Sequence, residues 1–127
     1  MILFLDPDPK RAVLAFQRMT PGDREKTIWC KTFLEAQTTL FNYRHELTRV
    51  HLEHDLGEQA YMNTASEESG MEIVRYLERL AKHSYPEFAP LLHVHFIVHT
   101  WNEHAGPLMV ERLRNIGLGV DYTPFGM

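Results

Sequence analysis

Short apolar runs alternate along the chain with stretches of helical periodicity, and a capping residue, a proline or a glycine marks most of the changes. Ile2–Leu5 is wholly apolar and stops at Asp6, which predicts a first strand. In DPDPKRAVLAFQRM, Asp8 is a good N-cap and Pro9 fits the first helical position, with Val13 and Phe16 on one face. Pro21-Gly22 closes that unit. Thr27–Lys31 has strand character, and Thr32 with Glu35 forms a capping box for a helix to about Tyr43. The stripe of that helix, Leu34, Gln37, Leu40 and Phe41, is only moderately apolar. Thr48–His54 predicts a third strand.

Residues 56–68 are polar and without period. Helical spacing returns over Ser69–Leu80 through Ile73, Val74, Leu77 and Leu80, with Ser69 and Glu72 as a second capping box. SYPEFAP reads as a loop and Leu92–His99 as a fourth strand. Asn102 is placed to cap a helix carrying Leu108, Met109, Leu113 and Ile116, which Gly117 ends. Gly119–Tyr122 is a short fifth strand. Strands alternating with helices predict an α/β domain over residues 1–127, a doubly wound parallel sheet of about five strands with helices on both faces. The compact version of this architecture has strand order 2-1-3-4-5, with its ligand crevice at the carboxyl ends of strands 1, 3 and 4.

Composition narrows the function. A net charge of −4 implies no extended surface for duplex nucleic acid, although a metal ion or helix N-termini can still bind a small anion. One cysteine, Cys30, excludes a disulfide framework and a thiolate metal cage, and it suits a reducing cytoplasm. Charge follows the first five residues, and no run reaches membrane-spanning length, so neither a leader nor a membrane partner is expected.

The chemistry gathers at the predicted crevice. Strands buried on both faces should read as continuous apolar runs, yet strand 1 ends in Asp6 with Asp8 just beyond. Strand 3 ends in Glu53-His54-Asp55, and strand 4 in His99-Thr100 with Asn102 following. Oxygen ligands from two strand ends suit a hard divalent cation, Mg²⁺ or Mn²⁺. His54 and His99 suit a general acid and base near neutral pH. Each residue also has a structural explanation: Asp8 and Asn102 as caps, Asp55 as a turn former, His99 as a buried hydrogen-bonded ring. His51, His93 and His95 sit away from the edge and read as structural.

The segments FLDPDPKR, LEHDLG, SGMEIVRYL and HTWNEHAGPLM occur in order over roughly residues 1–110. With them the chain resembles the receiver-domain superfamily, a flavodoxin-like fold. More closely, it resembles the cyclic-phosphate processing receiver-like domain. The resemblance aligns Asp55 with the phosphoacceptor aspartate of ordinary receivers and Asp6 with Asp8 as their metal-holding acidic pair. Thr100 falls near the strand-4 hydroxyl. Two departures oppose a signalling role: VDYTPFGM lacks the lysine expected after strand 5, and His54 and His99 are additional imidazoles. The cyclic-phosphate variant carries His-Asp at strand 3 and His-x-x-Asn after strand 4, as His54-Asp55 and His99-x-x-Asn102 do here. Glu53 stands where an aspartate is common.

The resemblance implies a metal-dependent phosphoesterase acting on a cyclic phosphate at a nucleotide or RNA end. Asp6, Asp8, Asp55 and Glu53 would hold the metal, and His54 and His99 would move protons around Asp55. Thr100 and Asn102 would bind phosphate, and Tyr61, on a lid over residues 57–68, would stack on a base. The alternative is a non-catalytic receiver-like module that binds phosphate or a nucleotide, or signals through Asp55 as phosphoacceptor. A histidine-rich transition-metal site from His51, His54, His93, His95 and His99 ranks last, because strand geometry splits these residues between levels and faces.

Overall fold

The computed structural model describes residues 1–53, 70–100 and 102–123. Its strands are β1 (Ile2–Leu5), β2 (Thr27–Cys30), β3 (Arg49–Leu52), β4 (His95–Val98) and β5 (Gly119–Tyr122). They pair in parallel in the order β2-β1-β3-β4-β5, the doubly wound order expected from the sequence. The helices are α1 (Pro9–Arg18), α2 (Pro21–Glu25), α3 (Phe33–Asn42), α4 (Met71–His83), α5 (Tyr85–Phe88) and α6 (Ala105–Asn115), with a 3₁₀ turn over Ala89–His93. None of the helices among the described residues is long and apolar enough to cross a membrane.

Side-chain alternation gives the sheet two unlike faces. Leu3, Leu5, Val50, Leu52, Phe96, Val98 and Val120 point one way and are buried in one core cluster with Leu40 of α3, Ile73, Val74 and Leu77 of α4, and Met109 and Leu113 of α6. The opposite face carries Phe4, on which Phe16 of α1 packs with ring centroids 5.9 Å apart. Arg49, on that same face, pairs with Asp23 of α2 at 3.2 Å. Helices thus lie on both faces, but the apolar core is concentrated on one.

Several boundaries differ from the sequence reading, each for a local reason. Val13 is 54% exposed, and the inner side of α1 is Ala12, Ala15, Phe16 and Met19 instead. Leu34 is 68% exposed, and α3 buries Ala36, Thr39 and Leu40. Pro21 does not stop the chain. It occupies the first turn of α2, capped by Thr20, whose Oγ1 accepts from the Asp23 N–H. SYPEFAP is likewise helical, with Pro86 and Pro90 in first-turn positions of α5 and the 3₁₀ turn. That turn takes up Leu92 and His93, so β4 starts only at His95. Ser69 lies outside the described residues, and α4 begins after Gly70 without a side-chain cap and runs on to His83.

The remaining signals act where expected. Thr32 caps α3 by accepting from the Glu35 N–H, while the Glu35 side chain reaches one residue past the cap to accept from the Lys31 N–H. Gly117 adopts φ of 95°, the left-handed region that lets α6 end and turn into β5.

Candidate metal centre at the strand ends

Parallel pairing in register decides which residues meet. Leu5, Leu52 and Val98 are aligned across β1, β3 and β4, so the next residues, Asp6, Glu53 and His99, emerge side by side. The ladder continues one step past the strands to pin them. The Asp6 N–H donates to the Cys30 carbonyl, that of Glu53 to Leu5, and that of His99 to Leu52, at 3.0–3.1 Å. Two residues on from Phe4, His51 and Ile97, all three share the α1 side of the sheet.

Asp6, Glu53 and His99 are 0%, 2% and 5% exposed. One ligand atom from each lies within 4.8 Å of the other two. Donors about 2.0–2.1 Å from a six-coordinate ion stand roughly 3 Å apart when adjacent and 4 Å when opposite, so this spacing fits one cation. Two carboxyl groups and one imidazole make a mixed oxygen and nitrogen set, compatible with a divalent ion.

Arg11 is the charge partner already present. Its Nε donates to both Asp6 oxygens at 3.2 and 2.9 Å, and Nη2 donates to Oδ1 at 2.9 Å. The Asp8 N–H adds a fourth bond to Oδ1 at 2.8 Å. Burial nevertheless pushes the Asp6 carboxyl above the ordinary carboxylate value, against the opposing pull of Arg11 and of the Asp8 N–H. A group whose burial outweighs these partners gains from a further cation. The Trp29 indole N–H donates to the Asp6 carbonyl at 2.8 Å.

His99 stacks on Phe4 with centroids 5.1 Å apart and lies tilted against His51 at 5.4 Å. Burial first, and then the neighbouring His51, push its pKa down to about 3. Burial, with Arg49 and His95, takes His51 down to about 4. Both rings are therefore neutral near pH 7, the form in which an imidazole nitrogen can ligate a metal.

The other predicted residues divide. Asp8 does not join the cluster: its Oδ1 accepts from the Lys10 N–H as the cap of α1, and Oδ2 lies 3.4 Å from Arg11 Nη1. Thr100 and Asn102 are buried and build the turn into α6. Thr100 Oγ1 accepts from the Asn102 N–H, and Asn102 Oδ1 accepts from the N–H groups of His104 and Ala105. His54, Asp55, Tyr61 and the 57–68 segment lie outside the described residues. His95 bonds Asp121 at 2.7 Å and His93 sits in the 3₁₀ turn, so neither contributes to the cluster. Sequence reasoning missed Arg11. The legible signal is a basic residue in the first turn of a helix, against the macrodipole preference, which calls for an acidic partner ahead of that helix.

The family model described as the cyclic-phosphate processing receiver domain matches residues 1–115, most of the chain. The chain belongs to the cyclic-phosphate processing receiver family. The matched span of this receiver domain runs from β1 to the last residue of α6 and takes in all three strand ends. No curated protein and no solved structure gives a significant match.

Proposed function

We propose that this receiver domain is a metal-dependent phosphoesterase that opens a cyclic phosphate on a nucleotide or an RNA end. The observation that carries this reading is the buried Asp6–Glu53–His99 cluster in a chain of this family. A divalent cation held there would neutralise phosphate charge and orient the attacking oxygen. Asp6 and Glu53 supply oxygen donors, and Asp55, two residues past Glu53, is a further one. We assign His99 to the ligand set because a nitrogen of its ring lies in the same buried cluster as the Asp6 and Glu53 carboxyl groups. Proton movement then falls to His54 beside Asp55. Thr100 and Asn102 act by shaping the turn that borders the phosphate, and Tyr61 stacks on the base. Asp8 positions Arg11 and caps α1.

Ring opening adds water across one phosphorus–oxygen bond. A new P–O bond forms to the water oxygen, one ring ester bond breaks, and a proton ends on the departing ribose hydroxyl. The test is product analysis with 2′,3′-cyclic nucleotides and short RNAs ending in a cyclic phosphate, with Mg²⁺, with Mn²⁺ and with chelator. Cation-dependent opening that is lost in Asp55→Ala is expected. Absence of turnover, together with a phosphoryl-donor mass shift that Asp55→Ala abolishes, would replace this reading with a phosphoacceptor module.

A further inference from the structure

We propose that Arg11 is a cation-released phosphate hook: it occupies Asp6 while the metal centre is empty and turns to the substrate phosphate when a divalent cation takes its place. The inference rests on the metal-centre reading above and adds a role for a residue outside the ligand set.

Hydrogen-bond geometry at Asp6 carries the argument. Oδ1 accepts from Asp8 N, Arg11 Nε and Arg11 Nη2, and Oδ2 accepts from Arg11 Nε. The guanidinium therefore spans both oxygens of a carboxylate that also belongs to the cluster. A dication bonded to Asp6 would lie within a few ångströms of that guanidinium, and two such positive charges in a buried pocket repel strongly. Both cannot keep Asp6 in its present geometry.

Arg11 is the partner able to move. Its side chain is 29% exposed, whereas Asp6 is fully buried and fixed by the strand ladder. It also has somewhere to pivot from, because Nη1 lies 3.4 Å from Asp8 Oδ2, a carboxylate 35% exposed and outside the ligand cluster. A released guanidinium offers a planar fork matched to two phosphate oxygens. Cation binding and phosphate binding are then coupled through one side chain, so the hook is presented only when the centre is loaded.

Calorimetric titration with Mn²⁺, and with inorganic phosphate after Mn²⁺ loading, separates the possibilities. In Arg11→Gln, Mn²⁺ should bind about tenfold more tightly than in wild type, and phosphate about tenfold more weakly to the loaded protein. Opposite signs for the two ligands are the signature. Weaker Mn²⁺ binding in Arg11→Gln, or unchanged phosphate binding, overturns the hook while leaving the metal centre standing. No Mn²⁺ binding by wild type overturns the metal centre and the hook together. Because Arg11→Gln leaves Asp6 uncompensated and can impair folding, the wild-type protein supplies a second readout. The Nε–H resonance of Arg11, assigned by its loss in Arg11→Lys, should shift and exchange faster with Mg²⁺ and regain protection with phosphate. A resonance unmoved by saturating Mg²⁺ overturns the proposal.

Discussion

His51 and His99 pack on the same side of the sheet as Phe4, His99 stacked on it and His51 tilted, and burial holds both rings neutral. Each ring titrates near 6.5 in an unfolded chain, against about 4 and about 3 in the fold. Between those values the unfolded chain binds more protons. Stability is therefore complete above pH 6.5 and falls as the pH drops towards the folded values. From pH 6.5 to pH 5 the loss should be about 2 kcal/mol per ring. Asp6 acts in the opposite sense, because its contribution is lost as pH rises through its raised value. Urea denaturation in chelator should give a clearly lower midpoint at about pH 5 than at about pH 7.5. An equal or higher midpoint would mean that the rings are not buried neutral. At this scale Asp6 and Glu53 were legible as polar residues directly after apolar strands. Asp8 was ambiguous, since one carboxylate can cap a helix or hold a metal, and only the fold shows its oxygens taken by Lys10 N–H and Arg11.

α3 exposes the limit of a weak hydrophobic stripe. Four apolar or neutral positions defined its face in the sequence, yet the buried side is rotated from that stripe and leaves Leu34 and Phe41 exposed. The structure makes unequal demands on two leucines of one helix. Leu40→Ala should cost about 2–5 kcal/mol, and Leu34→Ala no more than about 0.5 kcal/mol. Comparable costs in denaturant titrations would mean that the stripe seen in the sequence faces the core after all. α6 and β5 meet at a tighter joint. A Cβ on Gly106 would come within 2.7 Å of the Tyr122 ring, whose hydroxyl donates to the Thr100 carbonyl at 3.0 Å. Gly106→Ala should displace that ring and cost about 1 kcal/mol through the lost hydrogen bond. Unchanged stability and unchanged tyrosine fluorescence would show that the joint has slack. Prolines were the other misleading signal. Pro21, Pro86 and Pro90 each read as breaks but sit in first turns, where the missing N–H has no helical partner to lose.

For the whole molecule, strand order and parallel pairing were readable because alternating strands and helices leave few ways to wind one sheet. The same topology made the site partly readable, since it brings the ends of β1, β3 and β4 to one edge. What the sequence could not show is register. Only the alignment of Leu5, Leu52 and Val98 makes Asp6, Glu53 and His99 neighbours rather than three polar residues at one rim. The central claim is that these three strand ends form one divalent-cation site. Mn²⁺ titration followed by electron paramagnetic resonance, on wild type beside Glu53→Gln, tests it most directly. One site in wild type, weakened roughly tenfold or more by loss of the Glu53 charge, is the expected result. No binding by wild type, or equal affinity in the two proteins, would contradict it.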